Sequence, residues 1–183
     1  SREFFRERGL YRQEDGAEAG TKVFCEGAVG LLTGKYGPSR CAKGEILTVR
    51  ADGWDESRIR VGGGGWMVPV GGGQFRVGAT YEWDELDEQP TEKGREFVEK
   101  IVRRLGGEDF AVVEHVAGIR PILRRSEPLI GPLGDGNWMF NGLGSKGSLY
   151  APAVAARLVR WILDGVPCEP ELDFTRFGGS SPL

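Results

Sequence analysis

The residues richest in chemical content lie in "NWMFNGLGSKGSLYAPAVAARLVRWILDG", Asn137 to Gly165. Gly142, Leu143, Gly144, Ser145, Lys146 and Gly147 follow a short apolar run and precede a helical pattern, the strand, G-x-G-x-x-G, helix order of a dinucleotide turn. Glycines there let a flat ligand approach the backbone, and the helix N-terminus offers free N–H groups and a partial positive charge. The same glycines would serve equally to pack a helix closely on its strand. A nicotinamide-type βαβ unit also needs a second parallel strand with an acidic residue about 20 residues past the glycines. Here the helix leads into "VPCEPELDFTRFGGSSPL", proline-broken and polar, so the turn does not open such a unit. His115 is the single histidine, and Cys25, Cys41 and Cys168 lack C-x-x-C spacing, which leaves no credible metal set.

Around this turn the pattern predicts a strand over "NWMFN" and a helix with Val154, Leu158, Trp161 and Ile162 on one side. Pro152 is tolerable in that helix only in the first turn, and Gly165 stops it. Upstream, "TKVFCEG" reads as a short strand, Gly30 to Lys43 as a loop rich in Gly and Pro, and "GEILTVRA" as a longer strand. "SRIRV", "WMVPV" and "QFRVGAT" are strand-like, the last two joined by Gly71-Gly72-Gly73, which predicts an antiparallel meander. Pro69 should lie at an edge or a bulge, because proline cannot donate to the ladder. From Thr91 the period becomes helical, with Phe97, Val98, Ile101, Val102 and Leu105 on one face and Gly106 as the stop. "FAVVEHVAGIR" returns to strand, and "PLIG" is a short apolar piece between breakers.

Size and charge bound the rest. A chain of 183 residues suits one domain or a little more, and its 30 glycines cluster at turn-like sites. A formal charge of −3 without a basic block disfavours nucleic acid and anionic membrane as partners. No segment has the apolar length of a membrane span, and the charged start "SREFFRERG" is not a signal peptide. Three thiols without a pairing pattern are expected to be reduced, as in a cytoplasmic protein.

The order "KGEILTVRA", "WMVPVGGGQFRVGATYEWDE", "VVEHVAGIRPILRRSEPLIGP" and "WMFNGLGSKGSLYAPAVAARLV" resembles the C-terminal half of the FAD-dependent oxidoreductases of the D-amino-acid oxidase superfamily, the glycine oxidase and sarcosine oxidase type. The likeness covers roughly Lys22 to Gly165. It implies an α+β fold: a mainly antiparallel substrate-domain sheet with flanking helices, plus the C-terminal strand–loop–helix of a discontinuous FAD-binding domain. The implied divisions are a late substrate-domain segment to residue 20 and an FAD-domain strand and loop over 21–43. The antiparallel substrate domain follows over 44–118, the C-terminal FAD-binding part over 119–166, and a tail over 167–183. The family's first dinucleotide fingerprint belongs to an earlier segment, the N-terminal half of the polypeptide, which is expected as the partner of these residues.

By the same resemblance, Gly142 to Gly147 contact the flavin end of FAD, and Arg120 in "AGIRP" holds a substrate carboxylate through two parallel hydrogen bonds. Tyr81 in "GATYEW" ends a substrate-domain strand and closes one side of the pocket. Lys146 departs from the residues that relatives place in the loop: it is either a cation beside the flavin or a solvated lysine. Trp66, Trp83 and Trp138 are expected in the core rather than as ligand platforms, and His115 receives no role. No side chain is required as a catalytic base. The implied reaction is oxidation of the C–N bond of an amino acid or related amine to an imine. The alternative is a non-catalytic module that binds a small acid or a partner chain; a homo-oligomer is left open. These residues alone are expected to be inactive.

Overall fold

The computed structural model describes residues 2–11, 20–123 and 127–177. Parts of the predicted opening segment and tail, including 178–183, lie outside the described residues. A short helix, α1 (Arg2–Glu7), is followed by β1 (Lys22–Phe24), α2 (Gly27–Leu32), β2 (Ala42–Arg50), β3 (Arg60–Gly62), β4 (Gly65–Gly71) and β5 (Gln74–Gly78). Then come α3 (Glu92–Leu105), β6 (Ala111–Arg120), β7 (Leu129–Gly134), β8 (Asn137–Asn141) and α4 (Gly147–Asp164).

Five strands form one antiparallel sheet in the order β3-β4-β5-β2-β6. Alternation along the strands gives it two faces. Leu47, Val49, Met67, Phe75 and Val77 point to one face, where Val98, Ile101 and Val102 of α3 close a dry core. Thr91 caps α3, its side chain accepting from the Gly94 N–H, and Gly106 ends it, though as the C-cap itself at φ −119° rather than as the expected C′ glycine one position beyond. Phe97 departs from the expected apolar face: it is 47% exposed, because α3 covers the sheet with a narrower stripe than the periodicity suggested. The register places Gly44 opposite Gly118, Ile46 opposite Gly78, and Gly78 opposite Trp66, all on the other face. A Cβ on Gly118 would meet nothing within 4 Å, so that face is open there.

The glycine hairpin forms as predicted, Gly71, Gly72 and Gly73 having φ of 94°, 64° and 70°. Pro69 sits at a register irregularity, beyond the reach of β3, whose pairing ends at Met67.

A smaller sheet, β1-β8-β7, has β1 parallel and β7 antiparallel to β8. "PLIG" is thus the start of a strand rather than an isolated apolar piece; β8 supplies the pairing that Pro132 and the glycines obscure locally. The predicted loop after β1 opens with α2, packed through Leu31 against Leu129 and Met139. Val154 and Leu158 of α4 cover Ile130, and the Trp138 and Trp161 rings meet edge-on at 5.5 Å. Pro152 lies past the first turn of α4, where it withdraws the N–H that would meet the Ser148 carbonyl; the exposed Ser148 backbone can turn to water instead. Gly165 closes the helix in the left-handed region.

Candidate functional site

Arg120 is the last residue of β6, and its half-buried side chain folds back over the open face of the sheet. Its Nη1 donates to the Lys43 carbonyl at 3.1 Å and its Nη2 to the Thr80 carbonyl at 3.0 Å. Gly44 makes this possible, since a Cβ there would collide with the guanidinium. Burial pulls the Arg120 pKa below the ordinary arginine value, yet from so high a starting point the group stays charged. Among the described residues no carboxylate neutralises it. Two carbonyls leave several of its five N–H donors unused, so the fork can still accept an anion.

Tyr81 stands against this cation, the Arg120 Cζ lying 4.5 Å from its ring centroid. The two residues expected to bind substrate are therefore brought together. Tyr81 lies just past β5, in a segment held by reciprocal backbone hydrogen bonds between Glu82 and Lys43. The Tyr81 ring is 45% exposed and packs on Trp83 at 4.8 Å. Trp83 is itself 46% exposed, which corrects the expectation of a core residue: it projects to the open face of the sheet, which no described element covers there. Trp66 is half-buried on the open face, while Trp138 packs against α4.

The glycine turn joins the same region. Gly142 and Gly144 have φ of 77° and 58°, a conformation that side chains resist, and a Cβ on Gly142 would press on Leu123 at 3.1 Å. Gly144 donates its N–H to the Pro121 carbonyl at 2.9 Å, one residue beyond Arg120. Behind the turn, buried Asn141 donates from Nδ2 to the Gly27 carbonyl at 3.0 Å and accepts the Gly142 N–H at 2.8 Å. Asn141 escaped sequence reasoning, although an asparagine directly before a glycine turn is a recognisable local acceptor. Ser145 and Lys146 are exposed, Leu143 and Gly147 half-buried, and a single 3-10 turn over Gly144–Lys146 leads directly into α4, which starts without a side-chain cap.

Tyr81 also rims a cleft of about 920 Å³ between its own segment and α3, lined by Lys43, Glu45, Lys93, Phe97 and Lys100 among others. Lys43 is buried, and its ammonium, raised in pKa chiefly by the hydrogen bond to Asp87, sits 2.6 Å from that carboxylate. Glu45 accepts from the Thr91 N–H and hydroxyl, both at 2.8 Å, and His115 Nε2 lies 2.9 Å from Glu45 Oε2. These contacts tie α3 to the sheet, and they give His115 a packing environment on the covered face.

The site thus combines a charged, carboxylate-free arginine on the open face of an antiparallel sheet with a glycine-rich strand-to-helix turn. Residues 4–161 match the FAD dependent oxidoreductase (DAO) family, and the chain belongs to it. It is 30% identical to glycine oxidase of Pseudomonas aeruginosa, over 72% of this chain and 36% of that protein. It is 28% identical to the tRNA 5-methylaminomethyl-2-thiouridine biosynthesis bifunctional protein MnmC of Methylibium petroleiphilum, over 92% of this chain and 32% of that protein. Among solved structures, iminodiacetate oxidase from Chelativorans sp. BNC1 superposes with a TM-score of 0.70 at 23% identity, covering 84% of this chain and 44% of that one. Glycine oxidase from Geobacillus kaustophilus gives 0.67 at 23%, covering 89% and 46%. The chain thus spans 32–46% of the length of these relatives. Their fold is the mixed one described above, antiparallel sheet and helices together. No helix among the described residues is long and apolar enough to cross a membrane.

Proposed function

We propose that the complete protein oxidises the C–N bond of a small carboxylate-bearing amine to an imine, which water then hydrolyses. One observation carries this reading: Arg120, charged and without a carboxylate partner among the described residues, stands over Tyr81 one residue from the carbonyl that anchors the glycine turn. The names of the relatives agree with it, glycine oxidase and iminodiacetate oxidase both taking amines that carry carboxylates.

The residues present fit FAD at its flavin end. Gly142 and Gly144 bare the backbone, the α4 N-terminus is uncapped, and Lys146 adds an exposed cation. When bound, FAD supplies the hydride acceptor. Arg120 holds the substrate carboxylate with its unused N–H donors, and the Tyr81 ring limits where the rest of the substrate can lie. An amine bound in its neutral form needs no side-chain base, so orientation of the C–H bond is the protein's main contribution. The remainder of the polypeptide supplies the nucleotide-binding segment for the ADP part.

The test uses the full-length protein purified with its flavin. Anaerobic mixing with carboxylate-bearing amines should bleach the flavin, whereas the corresponding amino amides should bleach it far more slowly. Arg120→Met should lower kcat/KM by about 30- to 1000-fold, the loss of one charge-assisted pair, at unchanged flavin content. Equal bleaching by acids and amides would remove the carboxylate-specific reading, and no bleaching by either would favour a module that binds small acids without oxidising them.

A further inference from the structure

Two guanidinium groups flank the neighbouring rings of Tyr81 and Trp83, which are tilted 51° to each other, and only one of the two has a role in the proposed function. Arg40, just before β2, is exposed, and its Cζ lies 5.3 Å from the Trp83 ring. Among the described residues its side chain has neither a carboxylate nor a hydrogen-bond acceptor, whereas surface arginines such as Arg58, Arg95 and Arg157 each pair with an acid. Its backbone is fixed all the same, the Arg40 N–H donating to the Ile122 carbonyl at 2.8 Å, two residues past Arg120.

The alignment follows from the strand geometry. Glu82 pairs with Lys43, so Tyr81 and Trp83 on either side of it project to the opposite face, where Arg120 lies. The result is a row of Arg120, Tyr81, Trp83 and Arg40 with successive spacings of 4.5, 4.8 and 5.3 Å. A monoanion neutralises one end of such a row. A dianion neutralises both and can lay its connecting carbons along two exposed aromatic faces.

We propose that Arg40 and Trp83 extend the substrate site, and that the substrate is an amine bearing two acidic groups, one held by Arg120 and the other by Arg40. This rests on the role given to Arg120 above. Specificity for the second acidic group then resides in Arg40, with Trp83 as the surface beneath the chain that joins the two.

Binding to the flavin-loaded full-length protein tests it without turnover. Calorimetric titrations would compare glutarate, adipate and suberate with pentanoate, hexanoate and octanoate. At least one dicarboxylate should bind about tenfold or more tighter than the monocarboxylate of equal length, the worth of one additional charge-assisted contact. Arg40→Met should abolish that preference and leave monocarboxylate affinity unchanged; Arg40→Lys should restore part of it. A wild-type protein without the preference, or a preference that survives Arg40→Met, overturns the proposal. Arg120→Met should weaken acids of both kinds. Unchanged monocarboxylate binding in that variant overturns the reading of Arg120 instead.

Discussion

Arg120 occupies the space that a Cβ on Gly44 would need, so a glycine on β2 sets where a guanidinium from β6 can rest. Gly44 lies within an extended strand at no unusual φ, and the obstructing atoms are the far end of a flexible side chain. Gly44→Ala should therefore displace the guanidinium rather than break the sheet. The two hydrogen bonds to the Lys43 and Thr80 carbonyls are worth about 1 kcal/mol each, and water regains part of that. The melting temperature should fall by only a few degrees. Carboxylate affinity of the full-length protein should fall about tenfold or more, because the fork no longer faces the site. Retained affinity would show that the resting place of Arg120 does not matter to binding.

Glu26 gives a pH-dependent prediction away from the site. Hydrogen bonds from Lys35 and from the Tyr36 hydroxyl hold its carboxyl below the ordinary value of 4.5. The unfolded chain then binds the proton more readily, so the stabilisation is fully present above 4.5 and is lost as pH falls through the depressed folded value. Glu26→Gln keeps an acceptor for Tyr36 and removes the charge. Wild type should be more stable than the variant by about 1 kcal/mol at neutral pH, a modest figure because Lys35 is exposed. Denaturant melts of the two full-length proteins at pH 7 and pH 3 should show the difference shrinking in acid. A constant difference would mean that the charge on Glu26 contributes nothing.

Lys146 is exposed at the start of α4 and makes no side-chain hydrogen bond to cap it. Facing the flavin, its ammonium would favour the reduced, anionic cofactor and raise the potential. Lys146→Met should then lower the potential of the full-length flavoprotein. One charge at moderate effective dielectric is worth about 1–3 kcal/mol, which for a two-electron couple is about 20–65 mV. Dye-coupled titration reads the shift directly. An unmoved potential with flavin still bound leaves Lys146 as a solvated lysine and the contribution of the turn to backbone alone.

Much of the scaffold is legible because its signals are local and strong. The apolar stripe through Val98, Ile101 and Val102, the glycine hairpin after Pro69 and the stop at Gly165 each carry their own periodicity or φ requirement. The departures have a common cause. β7 and α2 are short, carry several Gly or Pro residues, and owe their form to partners distant in sequence, β8 for one and the Leu129 and Met139 side chains for the other. Trp83 looks like a core residue by type, and its exposure follows from its projecting to a sheet face that no described element covers there, which no local pattern records. Arg120 and Tyr81 were readable as separate motifs; the contact between them required the β2–β6 pairing and the segment bridged at Lys43. Arg40 carries no motif at all, and only the ring beneath it marks it out.

The hydrogen bond from Gly144 to Pro121 has a metric consequence. Adjacent Cα atoms are separated by a fixed distance of about 3.8 Å, so Arg120, the residue proposed to grip the carboxylate, and Pro121, whose carbonyl anchors the glycine turn, are set at a fixed backbone spacing like the arms of a caliper. In the proposed arrangement the gap between the gripped end of a substrate and its oxidant is then set by that backbone spacing together with the two carbonyls that hold the Arg120 guanidinium. Chemical variety among such catalysts would be gained by redecorating the far jaw, the row that runs from Tyr81 to Arg40, while the calibration at Arg120 and Pro121 is left untouched.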